Sequence, residues 1–308
     1  MLSQDFPQER VQIVVVDDGS TDDTSERVRK YGSRIEYFYK PNGGQASALN
    51  LGISKARGEI LALLDADDFF LAGKLAWVVE AFQGDRNLGM VYHRFEELHI
   101  QNGERREWYF VGVSGDLHRE PKKFEQYITP PTSVISFRRN TLKRLVPIPE
   151  EIRMVADCYL AALIPFVAPV LAIPEVLAIY RIHGSNAHRT SGQQVPRWQI
   201  VIAAMGKWLA ENGYTRKLAP VRAMQNQWTI ILEREEFAVT APGRIRFFRH
   251  LLRCYRRQFP LMTWKLRLIN GCNVLGSLVV GYAGFDRFDK RRENLTRWLR
   301  RASPTRRT

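Results

Sequence analysis

The run VQIVVV at residues 11–16 is apolar at five of its six positions and passes directly into Asp17, Asp18 and Gly19. A strand that shows apolar side chains to both faces belongs inside a sheet covered by helices on either side. Parallel sheets of that kind need crossover connections, and they bind ligands at the C-terminal edge of their strands. This one stretch selects an α/β class and directs attention to the carboxylates at its end.

The chain downstream keeps the pattern. Ser20 and Thr21 cap a helix expected from Asp22 to about Tyr31, whose acidic first turn suits the helix dipole. The strand RIEYFYK ends at Pro41, and the loop NGGQ opens a small-residue helix, ASALNLGISKAR, closed by Gly58. A third strand, EILALLDADD, is apolar until it too ends in carboxylates; Leu71, Leu75, Val78, Val79 and Phe82 then mark the inner face of a helix. Asp17 and Asp18 are thus expected in one crevice with Asp65, Asp67 and Asp68. Beyond Gly89, LGMVYHRFEELHI and REWYFVGV flank a turn at residues 101–103 and read as a hairpin. TPPTSVISFRRNTLKRL reads as a strand feeding a helix, and a further helix carries Asp157.

With 308 residues, 45% of them apolar, the chain can bury the core of one large domain or two ordinary ones. Its net charge of +14 is unevenly placed: residues 1–188 carry 22 Lys and Arg against 25 Asp and Glu, residues 189–308 carry 24 against 7. This divides a catalytic region, 1–188, from a basic and mainly helical region, 189–308. Cys158, Cys254 and Cys272 form no CxxC pair, and residues 1–10 carry Asp5 and Glu9 without an apolar run. Both features point to a reducing, cytoplasmic setting.

Three carboxylates within the four residues of DADD repel one another. Such a cluster is tolerated where a cation compensates it or water solvates it. Oxygen ligands of this kind suit Mg²⁺ or Mn²⁺, which leave positions open for phosphates. The plainer alternatives are a solvated acidic turn that caps the next helix and, at Asp18 and Ser20, a simple turn and cap.

Taken in order, the strand–DDGS–helix unit, PNGGQASALNLGISKARGE and the strand–DADD unit resemble the nucleotide-binding half of family-2 glycosyltransferases. PTSVISFRR is similar to that family's acceptor-side strand, PIPEEIRMVADCYL to the segment holding the catalytic base, and YRIHGSNAH to the end of the catalytic domain. The resemblance covers about residues 1–188. It implies a GT-A fold, a Rossmann-like sheet with helices on both faces, and a UDP-, dTDP- or GDP-sugar donor. It further implies a divalent cation, Mn²⁺ or Mg²⁺, and inverting transfer of a hexosyl-type sugar to a hydroxyl of a saccharide or lipid-linked acceptor, as in polysaccharide or glycolipid biosynthesis. On this resemblance Asp17 or Asp18 hydrogen-bonds the base, and Asn42, Gly43 and Asn50 belong to the nucleotide-sugar pocket. Asp65 approaches the ribose or the metal, Asp67 coordinates the cation, Asp68 orients that set, and Asp157 is the general base. Arg181 and His183 fall in a closing loop able to reach the diphosphate or the metal. Ala156 stands where many members carry Glu, and Leu49 where many carry Arg.

Two other readings compete. Aspartyl-phosphate phosphatases and receivers also place Asp pairs after apolar strands, but they need a partner Lys after a later strand, and the spacings fit poorly. A degenerate, non-catalytic binding protein would leave the basic tail to carry the function. In that tail Arg alternates with Trp, Phe and Leu at helical spacing, in VPRWQIVIAAMGKWLAENG, PGRIRFFRHLLRCYRRQ and DKRRENLTRWLRR. Such helices suit an anionic membrane surface, so peripheral association with the inner face is expected and nucleic acid is not. Residues 268–285 are 18 uncharged residues with four glycines and two asparagines, and they read as a buried or interfacial segment in preference to a span.

The family's pattern puts a further strand and helix ahead of the DDGS strand, whereas MLSQDFPQE is similar only to the end of that helix. The sheet is therefore expected to lack an interior strand, leaving unpaired backbone and apolar surface beside residues 11–16. Met1 is accordingly expected not to be the native start, or this form to be impaired.

Overall fold

The computed structural model describes residues 1–108, 112–184, 186, 194–215, 218–239, 242–258 and 274–275. Its strands and helices follow in the order β1 (Val14–Asp18), α1 (Thr24–Arg29), β2 (Glu36–Lys40), α2 (Gln45–Lys55), β3 (Ile60–Ala62), β4 (Phe69–Phe70), α3 (Lys74–Gly84), β5 (Met90–His99), β6 (Glu104–Trp108), α4 (Pro121–Gln126), β7 (Ile135–Arg138), α5 (Arg139–Leu142), α6 (Ala156–Leu163), β8 (Val170–Ile182), α7 (Gln194–Glu211), α8 (Ala219–Val239) and α9 (Arg244–Gln258).

The larger sheet has six strands in the order β3-β7-β5-β8-β4, with β6 added to β5. β5 is its hub, antiparallel to β6 and β7 and parallel to β8. The start of β5 is sealed: Met90, Val91 and Tyr92 are at most 1% exposed. α3 lays Val78 and Phe82 against Leu88, Val91, Ile173 and Leu177, the apolar face expected from its spacing. Each such side chain contributes roughly 1.5–3 kcal/mol when fully buried. The expected hairpin is β5–β6, and the expected strand in PTSVISFRR is β7.

Two strands were not legible in advance. β8 runs 13 residues through Pro174, and its apolar sequence has no strict alternation. It pairs with β4, which immediately follows the DADD segment, and so brings Arg181 back to those carboxylates.

β1 and β2 form a separate parallel ribbon. Among the described residues no ladder joins β1 to β3. Between them lies a cavity of about 1090 Å³, lined by Val14, Val16, Leu61 and Leu64 with Leu49 of α2 and Val79 of α3. Val14, Val15 and Val16 stay half-buried, which is the apolar, unpaired edge expected there. The ribbon is held by α2 and by Gln12, whose side chain accepts from Arg57 N at 2.7 Å and donates to Lys55 O at 3.0 Å.

The chain divides into two compact units, Met1–Asn226 and Gln227–Thr308. The first runs past the change of charge at residue 188, because α7 packs on α6 and buries Trp198, Val201, Met205 and Leu209. In the second, Glu233 pairs with His250 (2.9 Å) and Arg253, and Phe237 meets Phe247 and His250 edge-on. Apart from residues 274–275, the segments 268–285 and DKRRENLTRWLRR lie outside the described residues. No helix among the described residues is long and apolar enough to cross a membrane.

Candidate active site

β1 delivers its two carboxylates into a ready set of donors. Asp17 accepts from Ser20 N at 2.7 Å and from the Tyr37 hydroxyl. Asp18 accepts from Lys40 Nζ at 2.7 Å, Gly43 N at 2.8 Å and Gly44 N at 2.7 Å. Burial by itself would raise both pKa values; the donors outweigh it and hold both carboxyls below their ordinary range. Gly44 has φ +88°, and a Cβ there would lie 2.7 Å from Arg153 Cα. Only glycine can bring that N–H to Asp18.

β3 leads to a second acidic group with a different environment. The ligand oxygens of Asp65, Asp67 and Asp68 all lie within 4.8 Å of one another. Asp68 Oδ1 accepts from Arg181 N at 2.9 Å, and the Ser133 hydroxyl is a hydrogen-bond neighbour of the same carboxyl. Burial, and after it the charges of Asp157, Asp68 and Asp67, push the Asp65 carboxyl up to about 7. Burial raises Asp68 as well. Three clustered carboxylates, raised by burial and after it by one another's charge, fit a divalent cation, which would offset that charge.

The end of β8 and the turn after it close on this group. Arg181 donates through Nε to the Asp67 carbonyl, and its guanidinium lies 4.6 Å from the centre of the Phe69 ring. His183 Nε2 is 2.9 Å from Asp67 Oδ2. Asn186 ties the turn together, accepting from His183 N at 2.6 Å and donating to Arg181 O at 2.9 Å.

Asp157 occupies the first turn of α6, is 7% exposed, and accepts from Thr132 Oγ1 at 2.9 Å. Just before it Val155 has φ 57° and ψ 32°, a left-handed conformation that is an outlier for a β-branched residue. The next N–H, of Ala156, donates to Gln45 Oε1 at 2.8 Å, tying the start of α6 to α2. Asp157 is close enough to Asp65 to raise its pKa, so the structure brings these two carboxylates into one crevice.

Three expected pocket residues act as struts. Asn50 meets Ile148 with both ends of its amide, donating to the carbonyl and accepting from the N–H at 2.8 Å each. Asn42 donates to Asp18 O at 2.9 Å and accepts from Arg153 Nη2 at 2.6 Å. Gly43 gives its N–H to Asp18. Conversely, Thr132, Ser133 and Lys74 were not singled out in the sequence. Ser133 Oγ accepts from Asp65 N at 3.0 Å, and Ser133 O accepts from Lys74 Nζ at 2.9 Å. Lys74 is fully buried, and burial drives its pKa well below the ordinary range against the opposing pull of Asp68. The Pro-Pro pair before Thr132 was a usable sign of a rigid turn; nothing local distinguishes Lys74 from a surface lysine.

Comparison with known proteins agrees with this arrangement. Residues 1–144 match the model of Glycosyl transferase family 2. An uncharacterized glycosyltransferase of Nostoc sp. (strain PCC 7120) is 29% identical over 246 residues, 74% of this chain and 75% of that protein. Another, of Rickettsia bellii, is 32% identical over 218 residues, 69% of this chain but only 30% of that protein. Among solved structures, S. aureus TarS residues 1–349 in complex with UDP-GlcNAc gives a TM-score of 0.62 at 16% identity, over 94% of this chain and 85% of that one. The same protein with UDP gives 0.58 at 16% identity, over 94% and 84%. That likeness is one of fold. It extends over most of the chain, so the chain has the GT-A fold, and its residues 1–144, which hold the DDGS, NGG and DADD segments, match glycosyl transferase family 2.

Proposed function

We propose that the crevice binds a nucleoside-diphosphate sugar together with a divalent cation and transfers the sugar, with inversion, to an acceptor hydroxyl. The observation that carries this reading is the placement of Asp157, buried and hydrogen-bonded to a neutral hydroxyl, beside a carboxylate group short of positive charge. Asp67, with Asp65 and His183, is the set that would hold Mn²⁺ or Mg²⁺; when bound, the cation neutralises charge on the departing diphosphate. Asp157 takes the proton from the acceptor oxygen as that oxygen bonds to the anomeric carbon. The sugar–phosphate bond breaks, its electron pair leaves with the diphosphate, and attack from the opposite face inverts the centre. The Asp17–Asp18 edge, ordered in its ionised form, is assigned to the base. The fold shared with TarS, whose structures hold UDP and UDP-GlcNAc, supports the donor class.

Nucleotide release from UDP-GlcNAc and from a panel of UDP-, dTDP- and GDP-sugars with Mn²⁺ tests the reading. Asp157→Asn is expected to lower turnover by about 10²–10⁴-fold, the usual range for a lost acid–base group, and Asp67→Ala by about 10²–10³-fold, the usual cost of losing one electrostatic stabiliser of the leaving charge. Wild-type protein that turns over none of these donors sinks the proposal.

For the second unit we propose contact with an anionic membrane, consistent with a lipid-linked acceptor. α9 leaves Arg244, Ile245, Arg249 and Arg256 exposed, while Arg246 and Arg253 pair with Glu236 and Glu233. A basic face bearing an exposed isoleucine suits headgroups more than a neutral partner. Co-sedimentation with phosphatidylglycerol vesicles, weakened by Arg244→Glu with Arg249→Glu, is the expected result. Equal sedimentation with phosphatidylcholine vesicles contradicts it.

A further inference from the structure

Thr132 stands where three parts of the crevice meet. Its Oγ1 donates to Asp157 Oδ2 at 2.9 Å and lies 3.5 Å from Gln45 Nε2. The Asp65 side chain is a second hydrogen-bond neighbour of the Thr132 side chain. Gln45 in turn accepts from Ala156 N, one residue ahead of Asp157.

The backbone that carries this hydroxyl is held from several sides. Pro130 and Pro131 restrict the approach, with Pro131 at φ −70°. The short helical turn Thr132–Val134 runs straight into β7, which is paired on both edges, to β3 and β5. Ser133 binds Asp65 N through its hydroxyl and Lys74 Nζ through its carbonyl. Thr132 and Ser133 are 5% and 1% exposed. Surface turns are not built this way.

A general base must aim one carboxylate lone pair at the acceptor proton. A donor held on one oxygen fixes the plane and direction of the whole carboxylate. A threonine hydroxyl has a single proton to give; Asp157 Oδ2 at 2.9 Å is its acceptor, with the Asp65 carboxyl as the competing one. We propose that Thr132 is a positioning residue: it sets Asp157 against the Asp65 end of the crevice, so that the acceptor proton and the departing diphosphate are handled at a fixed separation. This role rests on Asp157 being the base.

Valine fills the volume of threonine without the proton, and serine keeps the proton with less volume. With UDP-GlcNAc and Mn²⁺, Thr132→Val is expected to lower kcat by about 10–100-fold, the usual cost of losing a supporting hydrogen bond. KM for the donor and affinity for UDP should stay within about threefold, and Thr132→Ser should keep kcat within about threefold of wild type. A thermal-unfolding cycle of Thr132→Val and Asp157→Asn, which needs no turnover, should give non-additive shifts. Additive shifts overturn the proposal, as does equal loss in the serine and valine variants, which would mean packing and not the hydroxyl. A silent Thr132→Val beside an inactive Asp157→Asn overturns the role of Thr132 alone. Wild-type turnover in Asp157→Asn overturns the base reading and this role with it.

Discussion

Asp17 and Asp18 at the end of β1 meet Ser20 N, the Tyr37 hydroxyl, Lys40 and the N–H groups of Gly43 and Gly44. Asp65, Asp67 and Asp68 after β3 lie against one another and Asp157, with Arg181 N on Asp68 and His183 on Asp67. Both groups are acidic strand ends of one unit, yet their pKa values move in opposite directions, down at the first and up at Asp65 and Asp68. The first is complete as a set of anions and serves to order the NGG loop. In the second, burial and after it the neighbouring carboxylates raise Asp65, so added positive charge would be favourable there. On the proposed function, the leaving diphosphate is handled at the second and the base is recognised at the first.

The strongest way to break this comparison is to remove one carboxylate from each group in metal-free protein. Asp18→Ala leaves Lys40 Nζ and two loop N–H groups without their acceptor, and is expected to cost about 2–4 kcal/mol. Asp65→Asn removes an uncompensated charge and is expected to stabilise the protein at pH 8, by roughly 1 kcal/mol because the residue is only half-buried. Thermal unfolding reads both, and two shifts of the same sign would erase the distinction.

The smaller effect is in pH dependence. Asp17 and Asp18, held below their unfolded value of 3.8, contribute stability that is present above that value and is lost as pH falls through their folded values. Asp65, at about 7, does the reverse: its contribution is present below 3.8 and is lost as pH rises toward 7. Wild type minus Asp65→Asn should thus show melting temperature declining between about pH 4 and 7. A flat difference would contradict the assignment of Asp65.

Much of this was readable from residues. An apolar run ending in carboxylates is a local pattern, so β1, β3 and the acidic ends stood out, as did Asp157 once the family resemblance was drawn. The gap beside β1 was also foreseen, and Val14–Val16 are half-buried where Met90–Tyr92 of β5 are sealed. The remainder depends on contacts distant in the chain. Pro174 hid β8 behind an irregular apolar run, and β8 is what carries Arg181 and His183 to Asp67. Asn50 was expected to touch ligand, but a carbonyl and an N–H 98 residues away engage its amide. Lys74 lies on a helix whose neighbouring positions gave no sign that an ammonium would be enclosed.

The central claim is that the Asp65–Asp68 end binds nucleotide through a cation, and calorimetric titration of UDP tests it most directly. Wild-type protein should bind UDP with Mn²⁺ present and lose most of that affinity in excess EDTA, while Asp67→Ala should bind weakly under both conditions. Equal affinity with and without Mn²⁺, or an Asp67→Ala variant that binds UDP as wild type does with Mn²⁺, would contradict the account.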